Sequence, residues 1–120
     1  MRVLIVEDSP TMRRIVRNTL KRIGYDDVEE ACDGVEGVSV LGNNPVDFII
    51  TDWNMPNMSG LDFIKQVKSK SEYADVPILM VTTRSVEDDV KEALMAGAAS
   101  YIVKPFTPQV LKEKIDEILN

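Results

Sequence analysis

Side chains that could hold a cation or move a phosphoryl group follow four short apolar runs of this chain. They are the carboxylates of Glu7, Asp8 and Asp52, the hydroxyl of Thr82 and the ammonium group of Lys104. Carboxylate oxygens suit hard cations such as Mg²⁺ or Mn²⁺, and a site with few carboxylates leaves coordination positions free for phosphate oxygens. A metal, an ammonium group and a hydroxyl around one carboxylate meet the needs of phosphoryl transfer, with an aspartyl phosphate as the product.

The composition excludes several other chemistries. The chain has 120 residues, no histidine and one cysteine, so Ser-His catalysis, Cys-His catalysis and the usual zinc sites are ruled out. It has no glycine-rich phosphate-binding motif, which argues against a nucleotide cofactor. The net charge of -6 argues against binding to nucleic acid or to an anionic membrane surface, because both favour basic proteins.

Short β-branched runs alternate with longer segments of helical period, which predicts one α/β domain with a parallel sheet. The predicted strands are residues 2–7, 27–31, 46–51, 77–82 and 99–103. The length fits a single domain, so we expect no output domain within residues 1–120. The apolar run at the start is too short for a secretory signal or a membrane span, so we expect a cytoplasmic protein, and a monomer.

Capping and turn residues predict five helices. The residues at which the helices should begin, in chain order, are Ser9, Asp33, Ser59, Ser85 and Thr107. Gly24 should end the first helix, Gly97 should end the fourth, and the second should cover residues 34–41. The basic face of the first helix, which includes Arg13, has the pattern of a surface in contact with solvent.

The carboxyl ends of parallel strands meet at one edge of a sheet, where ligands of open α/β folds bind. If strands one, three, four and five are neighbours, the acidic residues, Thr82 and Lys104 meet at that edge. Two carboxylates about 6 Å apart repel each other by roughly 3 kcal/mol at an effective dielectric constant of ~20. A divalent cation would relieve this repulsion, so the sequence predicts a Mg²⁺ site.

The residues at this edge belong to longer segments that resemble the receiver domains of response regulators, most closely those of chemotaxis. The matching segments are VED at 6–8, TMRRIVRN at 11–18, TDWNMPNMSG at 51–60, VT at 81–82 and YIVKPF at 101–106. The similarity extends over essentially the whole chain. It implies a single flavodoxin-like, doubly wound parallel sheet of five strands in the order 2-1-3-4-5, with five helices.

The resemblance also implies a role for each residue at the edge. Asp52 is the expected phosphoacceptor, and Thr82 and Lys104 are expected to hold phosphoryl oxygens. The expected Mg²⁺ ligands are Asp8 and Asp52, with Glu7 acting through water and Asn54 through its backbone carbonyl. Most chemotaxis relatives have Asp in place of Glu7, and we expect metal binding to survive this difference.

Further positions match the family's switch and its partner surface. Tyr101 is expected to turn inward when the hydroxyl of Thr82 moves toward the phosphoryl group. Asn54 and Arg84 occupy positions that tune how fast water reaches the acyl phosphate. The expected partner surface lies on the fourth helix, the fifth strand and the fifth helix, and it includes Ser85, Val90, Tyr101 and Val103.

The resemblance therefore implies a single-domain response regulator that a histidine kinase phosphorylates on Asp52. The expected target is the flagellar motor switch protein, with a phosphatase as a further partner and no turnover of external substrates. An intermediate of a phosphorelay is one alternative. A Mg²⁺-dependent aspartyl phosphohydrolase is another, although such enzymes usually have a second Asp where this chain has Asn54.

Structural roles also account for single residues at the edge. Asp8 could simply lie near a helix N-terminus, and Thr82 and Tyr101 could be ordinary residues of strands. The isomer of the Lys104–Pro105 bond stays open.

Overall fold

The computed structural model describes residues 1–119, in which strands and helices alternate along the chain. The strands are β1 (Val3–Val6), β2 (Val28–Ala31), β3 (Phe48–Thr51), β4 (Ile78–Thr82) and β5 (Ser100–Val103). The helices are α1 (Pro10–Arg22), α2 (Gly34–Asn43), α3 (Gly60–Lys68), α4 (Glu87–Ala96) and α5 (Pro108–Leu119). All five predicted strands and all five predicted helices are present. None of these helices has the length and apolar character that crossing a membrane requires.

The sheet is parallel throughout and has the strand order 2-1-3-4-5, which confirms the fold class. Val6 of β1 pairs with Thr51 of β3, so the residues after these two strands emerge side by side. Thr82 at the end of β4 pairs with Val103 of β5. The carboxyl ends of β1, β3, β4 and β5 therefore lie at one edge, as the predicted site requires.

Each face of the sheet has its own apolar core. Residues of β1, β3 and β4 are all buried, as their continuous apolar runs indicate. One core lies under α2, α3 and α4 and includes Phe63 and Ile64, and the other lies under α1 and α5 and includes Leu20 and Leu111. This two-sided burial fixes the strands, and the strands fix the edge that carries the polar side chains.

Four of the five predicted helix starts are confirmed by side-chain caps. Ser9, Asp33 and Ser59 accept hydrogen bonds from backbone N–H groups in the first turns of α1, α2 and α3. Thr107 accepts one from the N–H of Val110 in α5, at 3.2 Å. Helix α2 runs to Asn43, two residues beyond its predicted end.

The predicted start of α4 at Ser85 is wrong. The N-cap residue is Val86, whose backbone is extended and whose side chain makes no capping bond. The chain just before it is held by contacts with other strands. The N–H of Arg84 donates to Oγ1 of Thr82 at 3.3 Å, and the carbonyl of Arg84 accepts from the hydroxyl of Tyr101 at 2.7 Å. With these contacts in place the helix begins only after Val86. Three acidic residues in its first turn interact favourably with the helix dipole and so stabilise the N-terminus that lacks a side-chain cap.

Candidate functional site

Three carboxylates converge where β1 and β3 end. Glu7, Asp8 and Asp52 each offer an oxygen atom, and these atoms all lie within 4.8 Å of one another. The side chain of Glu7 is only 5% exposed and that of Asp52 only 11%, whereas Asp8 is exposed. We call the side chains of Glu7, Asp8, Asp52 and the neighbouring Lys104 the acidic edge. The predicted convergence of these residues is present in the structure.

Lys104 lies between two of the carboxylates. Its Nζ atom donates to Oε1 of Glu7 at 2.6 Å and to Oδ2 of Asp52 at 3.0 Å. The backbone N–H of Lys104 donates to the carbonyl of Thr82 at 2.7 Å, which anchors the end of β5 to β4. The Lys104–Pro105 peptide bond is cis. One ammonium group thus faces two nearly buried carboxylates, while a third stays open to solvent.

Burial makes Glu7 a weak acid in the absence of a cation. Desolvation raises its pKa to about 7, Lys104 opposes this rise, and the charge of Asp52 adds to it. For Lys104 itself, desolvation lowers the pKa, but the hydrogen bonds to Glu7 and Asp52 outweigh that effect, so its pKa is raised. Lys104 therefore stays charged, and the charge of Glu7 depends on what else occupies the edge.

The acidic edge fits a divalent cation. Oε2 of Glu7 is buried and has no hydrogen-bond partner within the described residues. A buried carboxylate oxygen of this kind costs about 1–3 kcal/mol unless a partner satisfies it. A donor set of oxygen atoms alone suits Mg²⁺ or Mn²⁺, and the exposed carboxylate of Asp8 gives an ion access from solvent. Glu7, Asp8 and Asp52 are thus the residues that could hold the metal.

The two predicted switch residues meet on the backbone of Arg84. The side chain of Thr82 is fully buried, and its Oγ1 accepts the N–H of Arg84. The partly buried Tyr101 donates its hydroxyl to the carbonyl of the same residue. Any movement of Thr82 that takes Arg84 with it would therefore reach Tyr101.

The two predicted rate-tuning residues contact each other directly. Nε and Nη2 of Arg84 donate to Oδ1 of Asn54, at 3.2 and 3.0 Å. The guanidinium carbon lies 4.5 Å from the centre of the Trp53 ring, within the range of a cation–π interaction. Nη1 lies 3.6 Å from Oδ2 of Asp89 in α4. Arg84 thus joins the segment after Asp52 to the first turn of α4, a link that the sequence analysis did not predict.

Arg13 is a site residue that the sequence analysis missed. Its Nη1 donates to the backbone carbonyl of Glu7 at 2.7 Å, and its Nε lies 3.5 Å from Oε1 of Glu30. Arg13 is therefore not simply exposed to solvent, because it holds the end of β1 from the α1 side. Its position one turn into the helix that follows the acidic strand end was the available signal.

The predicted partner surface is partly exposed. Ser85 and Val103 are exposed, and Val90 and Tyr101 are intermediate. Helix α4 packs on β5, so these residues belong to neighbouring elements, and the adjacent Val86 is 62% exposed.

Comparison with known proteins agrees with this geometry. Residues 3–116 match the family model described as the response regulator receiver domain. A chemotaxis protein CheY homolog of Campylobacter jejuni is 55% identical, over 99% of this chain and 92% of its own. Chemotaxis protein CheY1 of Helicobacter pylori is 54% identical, over 99% of this chain and 97% of its own.

Solved structures are similar too. The chemotaxis response regulator CheY4 of Vibrio cholerae superposes with a TM-score of 0.92 and 40% identity, covering 98% of both chains. The signal receiver domain of a signal transduction histidine kinase from Syntrophus aciditrophicus has a TM-score of 0.89 and 33% identity, covering 98% of this chain and 89% of that one. Response regulators of this kind are signal transducers rather than turnover enzymes. The resemblance implied by the sequence is confirmed, and the chain belongs to the response regulator receiver domain family.

Proposed function

We propose that this protein is a chemotaxis response regulator that a histidine kinase phosphorylates on Asp52 in a Mg²⁺-dependent reaction. The observation that carries the proposal is the convergence of Glu7, Asp8 and Asp52 around the ammonium group of Lys104. The named chemotaxis proteins at 54–55% identity support the pathway. The proposal includes one receiver domain over residues 1–120, acting as a cytoplasmic monomer.

In the proposed reaction, a carboxylate oxygen of Asp52 attacks the phosphorus atom of the donor's phosphohistidine. The new P–O bond forms as the P–N bond breaks, and the imidazole nitrogen keeps the electron pair and takes up a proton. Bound Mg²⁺, held by Asp8, Asp52, Glu7 through water and the Asn54 carbonyl, would neutralise charge on the phosphoryl oxygens. The N–H of Trp53 donates to Oδ1 of Asp52 at 2.6 Å, which fixes the orientation of the attacking carboxylate.

Lys104 and Thr82 would stabilise the product. An aspartyl phosphate carries roughly two negative charges and three acceptor oxygens. The ammonium group of Lys104, already bonded to Asp52, would pair with one of these oxygens, and the hydroxyl of Thr82 would donate to another. Because a hydroxyl can donate and accept at the same time, Thr82 would keep the N–H of Arg84 as it moves, and Tyr101, bonded to the carbonyl of Arg84, would change its position with it.

A switch of this kind needs a definite driving force. To move a population from about 1:99 to 99:1, phosphorylation must favour the active arrangement by ~5.5 kcal/mol. The active arrangement would then present Ser85, Val90, Tyr101 and Val103 to the flagellar motor switch protein. A phosphatase is a further candidate partner.

The test uses Trp53 as a reporter. We expect Mg²⁺ and then acetyl phosphate to change Trp53 emission in two steps, and intact-mass measurement to detect one added phosphoryl group. Asp52→Asn should remove the second step and the added mass, whereas Asp26→Asn, at an exposed aspartate at the opposite end of the sheet, should behave as the unchanged protein. A full response to the donor in Asp52→Asn would contradict the proposal.

An intermediate of a phosphorelay is the second candidate, and the likeness to a receiver domain of a histidine kinase favours it. Radiolabelled phosphoryl groups would then pass from this chain to a second histidine-containing protein. Tighter binding of the phosphorylated chain to purified flagellar motor switch protein, without such transfer, would support the first candidate instead.

A further inference from the structure

The loop between β3 and α3 contains a strained turn. Asn57 has a φ of 68°, in the left-handed region that non-glycine residues seldom adopt. The N–H of Met58 donates to the carbonyl of Pro56, two residues back, at 2.7 Å, which is the hydrogen-bond pattern of a γ-turn. Strain of this kind persists only where other contacts hold it. The contacts that stabilise this turn therefore show which residues fix the loop.

A buried aspartate, the N-cap residue of α2, holds this turn. Nδ2 of Asn57 donates to Oδ2 of Asp33 at 2.7 Å. The other oxygen of Asp33 accepts the N–H of Glu36 at 2.8 Å and so caps α2. Asp33 is only 8% exposed, and Met58 packs so closely on Gly34 that a Cβ at Gly34 would lie 2.9 Å from it. The middle of the loop is therefore fixed to the start of α2.

The loop is also fixed at its base. The N–H of Gly60 donates to the carbonyl of Trp53 at 2.7 Å, and a Cβ at Gly60 would lie 1.8 Å from the carbonyl oxygen of Asp52. Asn54 lies between this closed base and Asn57. The two attachments therefore restrict the segment that contains Asn54 from both sides.

We propose that Asp33 is a positioning residue for the metal site. Through Asn57 it fixes the loop formed by residues 52–59, and so it would hold the backbone carbonyl of Asn54 where Mg²⁺ needs it, without touching the ion. This inference rests on the proposed function, in which that carbonyl is a metal ligand. Partners that orient a metal ligand in this way typically change metal affinity about 10–100-fold when they are removed.

Two single variants break the contact from opposite sides. Asn57→Gly removes the amide but adopts a positive φ without strain, so the turn itself stays accessible. Asp33→Ser keeps a side chain that can cap α2 but is too short to reach Asn57. Asn43→Ala is the matched control, because it removes an asparagine side-chain bond, to the carbonyl of Ser39, at the opposite end of α2.

The measurement is Mg²⁺ binding by calorimetry, without any phosphodonor. We expect each single variant to bind Mg²⁺ about tenfold more weakly, and Asn43→Ala to bind it unchanged. The double variant should bind no more weakly than either single variant, because both break the same contact. In phosphorylation by acetyl phosphate, the Mg²⁺ concentration for half-maximal rate should rise, and the rate at saturating Mg²⁺ should equal that of the unchanged protein.

Two results would overturn the inference: unchanged Mg²⁺ affinity in Asn57→Gly, or losses in the two single variants that add in the double variant. Asn57→Gly is decisive by itself if Asp33→Ser does not fold. Failure of the proposed function gives a different result, because the unchanged protein would then take up no Mg²⁺ at all.

Discussion

The loops that follow β3 and β4 flank the same site but are held in different ways. The β3–α3 loop (residues 52–59) has a closed base, a strained turn bonded to Asp33, and a side-chain cap at Ser59. The β4–α4 loop (residues 83–86) leads into a helix without a side-chain cap. Its backbone bonds to other elements are made with Thr82 and Tyr101, the two residues expected to move. The comparison indicates one loop built to stay fixed and one whose attachments can be exchanged.

The largest expected effect concerns Lys104, which holds the acidic edge between the two loops. Lys104→Ala leaves the nearly buried carboxylates of Glu7 and Asp52 without their shared cation. Removing one partner of a buried ion pair typically costs about 3–5 kcal/mol, so we expect a loss of that size in urea unfolding without Mg²⁺.

Saturating Mg²⁺ should restore most of this loss, because the ion replaces the missing positive charge. Lys112→Ala, which removes an exposed pair with Asp116 on α5, is the control and should cost less than about 0.5 kcal/mol. Equal losses with and without Mg²⁺ would show that the ion binds both proteins equally well and does not replace the charge of Lys104.

The second prediction concerns pH. The pKa of Glu7 is raised from 4.5 to about 7 by burial. Between these two pH values, Glu7 of the folded protein keeps a proton that the unfolded chain has released. The contribution of Glu7 to the free energy of unfolding without metal should therefore be largest below about pH 4.5. It should fall by roughly 3 kcal/mol as the pH rises to about 7.

Mg²⁺ affinity should change in the opposite direction. Since the proton and the ion compete for Glu7, binding should be tighter at about pH 8 than at about pH 6. Calorimetry at both values measures this, and Glu7→Gln should remove most of the dependence. A dependence that persists in full in Glu7→Gln would assign it to another group.

The third prediction concerns the attachment of the β4–α4 loop. Tyr101→Phe removes the hydroxyl that donates to the carbonyl of Arg84, at a cost of about 1 kcal/mol. Hydrogen exchange should become faster at residues 84–90 and stay unchanged at residues 53–60.

Tyr73→Phe is a matched control. Its hydroxyl donates to the carbonyl of Leu41 at 2.9 Å, so it removes the same kind of bond elsewhere. If Tyr101→Phe speeds exchange equally in both loops, the two loops do not differ as proposed.

The smallest effect is expected for Arg84→Ala, which breaks the contact between the two loops. The side chain of Arg84 is 40% exposed, so its pairing with Asp89 contributes little stability. Loss of the Arg84 side chain should change Trp53 emission. It should also open the approach of water to the acyl phosphate and shorten the phosphoryl lifetime about threefold, which corresponds to roughly 0.7 kcal/mol in activation free energy. Arg14→Ala, at an exposed arginine of α1, should change neither quantity.

The sequence by itself determined the fold class and the residues at the acidic edge. Continuous apolar runs and local caps specify strands and helix starts from neighbouring residues, and parallel pairing then brings Glu7, Asp8, Asp52 and Lys104 together. The family resemblance supplied the strand order and the roles of single residues. These inferences succeed because local pattern and sheet geometry leave few alternatives.

Only the tertiary structure decided the contacts between loops. Arg84 lies 30 residues from Asn54 along the chain, and Asp33 lies 24 residues from Asn57, so no local pattern links either pair. The start of α4 depends on Tyr101, which belongs to a later strand, and the pKa of Glu7 depends on how deeply the folded chain buries it. Long side chains and buried charges respond to whatever the fold places beside them, and that environment exists only once the fold has formed.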